Sequence, residues 1–320
     1  MKLVILFLTF ALCFFTGCSS TAEQTQLTQW MEKNGKIKVL STTAIIDDLV
    51  TQIGGPYIDH MSLIVGQMDP HSYELVKGDN EKMTHAEIIF SHGLGLEHGA
   101  SLHYQLKQHP HLVSLGDEIR HRFPEKILFV EGQLDPHVWM DISLWSLAID
   151  SIVDALSQKD PAHVDYYRTQ GNLVHQEMAA AHQNLKEKIA AIPSEKRYLV
   201  TSHDAFHYFT HAYLSEEVSW QEHCQAPEGL APDGQLSTAD IQRIIDHLFK
   251  HHISVVFPES NVSKDALKKI VSSCEKKGLK VRISNQTLYG DAMGESHHYL
   301  DMIRHNIAVL IKEWADETEQ

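Results

Sequence analysis

The stretch DPAHVDYYRTQGNLVHQEMAAAHQNLKEKIAAIP, residues 160–193, decides how this chain is organised. Asp160-Pro161 offers an N-cap and a first-turn proline, and no further proline occurs before Pro193. Between them Val164, Tyr167, Gly171, Val174, Met178, Ala181 and Leu185 recur at alternating spacings of three and four, which is one apolar stripe on a single helix. A helix of roughly 30 residues is about 45 Å long. It is therefore read as a rod joining two lobes rather than an element inside one.

On both sides of the rod, short apolar runs alternate with helical patterns, the signature of βα units and a mostly parallel sheet. On the N-terminal side the candidate strands are Ile37 to Leu40, Met61 to Val65, Ile88 to Ser91 and His111 to Ser114, with helices over Ile45 to Ile53, Lys77 to His85 and Ser143 to Leu156. On the C-terminal side they are Tyr198 to Thr201, Glu217 to Trp220, Ile253 to Phe257 and Lys280 to Ile283. Helices are expected there over Ser237 to Lys250, Lys264 to Lys277 and His298 to about Trp314. The fold class is α/β, two (βα) lobes with mostly parallel sheets joined by one long backbone α-helix. The expected division is a signal peptide over 1–17, a polar N-terminal tether over 18–34, an N-terminal lobe over 35–159, the linking helix over 160–193 and a C-terminal lobe over 194–320.

Lys2, the apolar run Leu3 to Phe15 and the small residues Thr16-Gly17 before Cys18 read as an export signal. The run is too short for the roughly 20 residues of a membrane-spanning helix. It resembles a bacterial lipoprotein signal in which Cys18 would carry the lipid, except that Phe15 stands where Leu is usual. The protein is expected to be exported, in a periplasm or on the outer face of the cytoplasmic membrane. A net charge of −15 argues against nucleic acid as a partner, because phosphate binding needs a basic face. Beyond the signal and Cys18 only Cys224 and Cys274 remain, and in an oxidising compartment they are a plausible disulfide.

Most of the 23 histidines are expected to be surface residues without a task. His71, His137 and His203 differ in context. The first two sit in the same phrase, Asp69-Pro70-His71 and Asp135-Pro136-His137, and all three fall where strands end, the usual place for ligands in doubly wound sheets. Neutral imidazoles suit zinc, manganese, iron or nickel. Asp291, on the glycine-flanked loop Tyr289-Gly290-Asp291-Ala292-Met293-Gly294, would supply the anion that a dication needs, although alone it reads as a turn or cap residue. Asp135 or Asp141 could accept the second N–H of the His137 ring.

Together the phrases around His71, the segment Ala86-Glu87-Ile88-Ile89-Phe90 with Gly93-Leu94-Gly95-Leu96-Glu97, Asp135 to Asp141, Thr201-Ser202-His203-Asp204-Ala205-Phe206, and Phe257-Pro258-Glu259-Ser260-Asn261 followed by Asp291 resemble the metal solute-binding proteins of ABC importers, the TroA-like or ZnuA-like family. The resemblance runs over nearly the whole mature chain. It implies one divalent metal ion held between the lobes by His71, His137, His203 and Asp291 and delivered to the permease membrane subunits, which work with a cytoplasmic ATPase. It implies a binding protein and no enzyme, and a monomer is expected. His203 in the third position favours zinc, with manganese and iron open. His92 stands where relatives often have Asn, and His207 where they often have Gly. His207 reads first as an exposed helix residue and otherwise as a support or alternative ligand. Glu74 reads as an orienting group or helix-start acid. Two readings from other classes are a metal-dependent hydrolase using His203 and His207 with Glu259 as base, and a surface adhesin. No His-Glu-x-x-His phrase supports the hydrolase.

Overall fold

The computed structural model describes residues 18–215, 220–232, 234 and 236–316. The expected signal peptide, 1–17, lies outside them. A first helix, α1 (Cys18–Met31), leads into β1 (Ile37–Thr43), α2 (Ala44–Gly54), β2 (Ile58–Ile64), α3 (Asp79–His85), β3 (Ile88–Ser91), α4 (Ala100–Gln108), β4 (Leu112–Ser114) and α5 (Leu115–Arg122). The four strands form one parallel sheet in the order β2-β1-β3-β4. Residues 18–34, read as a polar tether, thus carry a helix whose far end docks, with Trp30 buried in the core cluster of Leu40, Met61 and Ile89.

A two-residue hairpin, β5 (Phe129–Val130) with β6 (Gln133–Leu134), precedes α6 (Ile142–Trp145) and α7 (Ala148–Lys159). The single helix expected over Ser143 to Leu156 is therefore broken between Trp145 and Ala148. The rod is α8 (Val164–Ala190), 27 residues entered through a 3-10 turn at Pro161–His163. Its buried residues are Tyr167, Gly171, Val174, Met178, Ala181, Leu185 and Ile189, which is the expected stripe extended by one turn at its end, with Val164 at its start only half-buried. Gly171 is required by contact: a Cβ there would lie 2.7 Å from Val153 Cγ2 on α7.

The C-terminal lobe comprises β7 (Leu199–Val200), α9 (His207–Phe209), β8 (Cys224–Gln225), α10 (Thr238–Lys250), β9 (Val255–Val256), α11 (Asp265–Lys276), β10 (Arg282–Ile283) and α12 (Tyr299–Asp316). Its strands form two parallel pairs, β7 with β8 and β9 with β10, joined by the bond from Phe257 N to Val200 O at 2.8 Å. The second strand of the series lies at Cys224–Gln225, whereas the sequence suggested Glu217 to Trp220. Trp220 belongs to a 3-10 turn, and 217–219 lie outside the described residues.

Side chains alternate across both sheets. Val39, Phe90, Leu199 and Val255 face one large cluster that runs through both lobes by way of α8, and Leu40, Ile89, Val200 and Val256 face two outer clusters. This alternation corrects the expected disulfide. Cys224 on β8 belongs to the large cluster and Cys274 on α11 to the outer one, on opposite faces of the sheet, and both thiols are free. Asp48 on α2 accepts from Tyr299 N at 2.9 Å and contacts His298 Nδ1 at 2.9 Å, so the N-terminal lobe caps the last helix. Among the described residues no helix is long and apolar enough to cross a membrane.

Candidate metal centre

The two Asp-Pro-His phrases build the same turn. Asp69 Oδ1 accepts from the backbone N of His71 at 2.9 Å, and Asp135 Oδ1 accepts from the backbone N of His137 at 3.0 Å. Each aspartate mimics a backbone turn two residues on, the proline stiffens it, and the histidine is presented at a fixed angle. The recurrence in sequence is thus a recurrence of loop geometry.

His203 follows β7, and Thr201 Oγ1 donates to its carbonyl at 2.8 Å. Glu259, just beyond β9, accepts from the backbone N of Ser202 at 3.0 Å and of His203 at 2.9 Å. Asp291 lies beyond β10. Asn306 on α12 clamps the neighbouring Tyr289 by two backbone bonds of 2.8 Å, and Trp139 of the other lobe donates to Gly290 O at 3.0 Å. A Cβ at Gly290 would sit 2.5 Å from Glu259 Oε2, so only glycine lets this loop approach.

These turns converge. His71, His137, His203 and Asp291 are all buried, and one ligand atom from each lies within 4.8 Å of the others. Nε2 of His71 is 3.3 Å from Nε2 of His137, and the carboxylate of Asp291 is 3.2 Å from His203 Nε2, 3.5 Å from His137 Nε2 and 3.6 Å from His71 Nε2. Four donors at 2.0–2.1 Å from a tetrahedral centre lie about 3.3–3.4 Å apart. The four separations above bracket that value, with Oδ2 of Asp291 facing His203 and His71 and Oδ1 facing His137, and the whole donor set lies within 4.8 Å. His203 Nε2 and Asp291 Oδ1 are buried without an aligned hydrogen-bond partner, an arrangement that proteins rarely leave unexplained.

Electrostatics divides the four. Burial, opposed by Asp291 and assisted by the neighbouring imidazoles, draws His71 down to about 4, so it is neutral. Burial also acts downward on His203, but the carboxylates of Glu259, 2.8 Å from Nδ1, and Asp291 overcome it and hold its pKa well above the ordinary value. Burial pushes the Asp291 carboxyl up, and the three imidazoles, His203 foremost, carry it well below the usual range.

The supporting residues differ from the sequence reading. Asp135, not Asp141, takes the His137 ring, with Oδ1 2.8 Å from Nδ1. Asp141 caps α6 through the backbone N of Ser143 and Leu144. Glu74 accepts from the backbone N of Ala100 and Ser101 at the start of α4 and is a helix-start acid. His207 is buried rather than exposed, because its Nδ1 reaches across the lobes to Asp135 Oδ2 at 3.1 Å. Glu259 was foreseen only as a hydrolytic base; its place after a buried strand, beside the strand that ends at His203, was the signal for its actual contact. His92 is buried against Trp139 and Trp145, with Nε2 2.7 Å from Thr43 Oγ1.

The profile of the family described as zinc-uptake complex component A, periplasmic, matches residues 39–313. This chain belongs to that family. It is 37% identical to the metal-binding protein YtgA of Chlamydia trachomatis over 94% of this chain and 91% of that one, and 32% identical to the manganese-binding lipoprotein MntA of Bacillus subtilis over 96% of each. The crystal structure of Fe(III)-bound YtgA from Chlamydia trachomatis superposes with a TM-score of 0.82 at 38% identity, covering 86% of this chain and 97% of that one. The periplasmic zinc-binding protein TroA of Treponema pallidum gives 0.79 at 26% identity, covering 88% and 99%. The chain is accordingly a substrate-binding component of a metal ABC transport system.

Proposed function

We propose that His71, His137, His203 and Asp291 hold one divalent transition metal ion, zinc, manganese or iron, for delivery to an ABC permease and its ATPase. The observation that carries this reading is the spacing of the four buried donors, 3.2–3.6 Å between facing atoms. Both Asp291 oxygens face imidazole nitrogens, so the carboxylate can bind through one oxygen or two, and a tetrahedral or a five-coordinate ion fits. That tolerance agrees with relatives whose names carry iron, manganese and zinc.

Binding without catalysis is the chemistry this shell favours. Four protein donors leave no open position for a reacting water, and the side chain offered as a base, Glu259, is committed to His203. Neither the hydrolase nor the adhesin reading draws support from the site. We place the mature chain outside the cytoplasmic membrane as a monomer, with Cys18 as its lipid anchor.

Elemental analysis of protein purified without added metal, followed by competition among zinc, manganese and ferrous iron, tests the reading. One tightly held ion per chain, lost in the His71→Ala and Asp291→Ala variants, is the expected result. Binding that survives both changes would sink it.

A further inference from the structure

The C-terminal lobe has a second concentration of imidazoles at the opposite ends of its strands from the metal centre. The proposed ligands follow β7 and β10, whereas Tyr198 precedes β7, Glu222 and His223 precede β8, and His247 in the last turn of α10 and His251 at its C-cap lie ahead of β9. His247 and His251 are four residues apart, the spacing that puts two side chains on one helical face, and their rings are 4.6 Å apart. Nε2 of each is buried without a hydrogen-bond partner. Two adjacent orphaned ring nitrogens on one face ask for a shared partner.

The surroundings supply more donors. Glu222 Oε2 lies 3.7 Å from His251 Nε2. The Tyr198 ring stacks on His251 at 4.2 Å and on His223 at 4.6 Å, which fixes both imidazoles. His223 Nδ1 contacts the Arg197 carbonyl at 3.1 Å; a carbonyl only accepts, so the proton sits on Nδ1 and Nε2 keeps its lone pair. The Glu222 side chain is 54% exposed and paired with Lys250 at 3.0 Å, so it can swing at small cost.

We infer that His247 and His251, closed by Glu222, form a second, weaker site for a borderline divalent cation such as zinc. The helical histidine pair is a known way to seat zinc from one face, and imidazole with carboxylate favours zinc, copper or nickel over magnesium or calcium. Among the described residues only the cleft group has three ligand atoms already within 4.8 Å. The second site is therefore completed by the cation drawing Glu222 inward, which makes it weaker and faster to exchange than the cleft.

The test uses the full mature chain without a polyhistidine tag, titrated with zinc by calorimetry and equilibrium dialysis. Two classes are expected in the parent protein. Asp291→Ala should remove the tight class and leave the weak one. His247→Gln and His251→Gln, each, should weaken the second class at least about tenfold and leave the tight one, which also shows that the variants fold; Glu222→Gln should weaken it less. The site is refuted if the parent binds a single class, if weak binding persists unchanged in both histidine variants, or if X-ray absorption of zinc loaded onto the Asp291→Ala protein shows no imidazole in the shell. A tight class that survives Asp291→Ala, with the second class still weakened by His247→Gln and His251→Gln, would overturn the cleft assignment and leave this inference standing.

Discussion

The two halves of the candidate metal centre are both α/β and do different electrical work. The N-terminal half offers His71 and His137, brought together by a repeated Asp-Pro-His turn and facing each other nitrogen to nitrogen. The C-terminal half offers His203 and Asp291, with Glu259 behind the histidine, and so carries both carboxylates that contact the His203 ring. One side positions two imidazoles and the other supplies the carboxylates. A cation held this way depends on both lobes for geometry but mainly on one for neutralisation.

The largest test of that asymmetry is a pair of variants. Asp291→Ala leaves three imidazoles and no anion in the shell, and should cost about 3–5 kcal/mol of binding, as for other broken buried charge pairs. His71→Ala should cost less under the same zinc competition assay. Equal losses would break the comparison. Next comes Glu259→Gln, expected to weaken binding by about 10–100-fold, as outer partners of metal ligands do. Asp135→Asn should fall in the same range, yet only Glu259→Gln should move the pH dependence.

The sign of that dependence follows from His203. Its pKa in the metal-free protein is raised well above the ordinary value, so at neutral pH it is protonated, and a metal must displace the proton from Nε2. Apparent affinity therefore falls by about tenfold for each pH unit below that pKa, with about one proton released per ion bound. Calorimetry in buffers of different ionisation enthalpy reads the proton count. An affinity that stays flat from pH 5 to 8 would contradict it. His71, already drawn down to about 4, adds to the dependence only in strong acid. The smallest effect is expected for His207→Gln, which removes the bond to Asp135 across the lobes. It should change affinity by less than about tenfold and show mainly as faster metal loss in stopped-flow chelation.

The rod was legible because nothing competes with its signal: prolines mark the ends and an unbroken stripe runs between them, and its buried face matches residue for residue from Tyr167 to Leu185. The N-terminal sheet was legible for a similar reason, since Ile37, Val39 and Leu40 of β1 and Ile88-Ile89-Phe90 of β3 stand out from the polar residues around them. The C-terminal strands have only two paired residues each, so tertiary contact rather than local pattern selects them, and β8 was missed for that reason. The four residues that cluster in the cleft could be named from phrases, but not the contacts that support them. Asp135 stands two residues before His137 and Asp141 four after it, and only the turn geometry decides between them. The cysteines failed differently: a count says how many thiols exist and nothing about which face of a sheet each one occupies.

The cluster that passes through α8 joins the lobes into one core, and the donors it gathers lie about 220 positions apart along the chain, from His71 to Asp291. A polypeptide made from its N-terminus has only half a binding site until its last strand is in place. Metal capture is thus a report of completed folding: a nascent or truncated chain competes poorly for the ion, and the finished molecule should melt as one calorimetric unit instead of two.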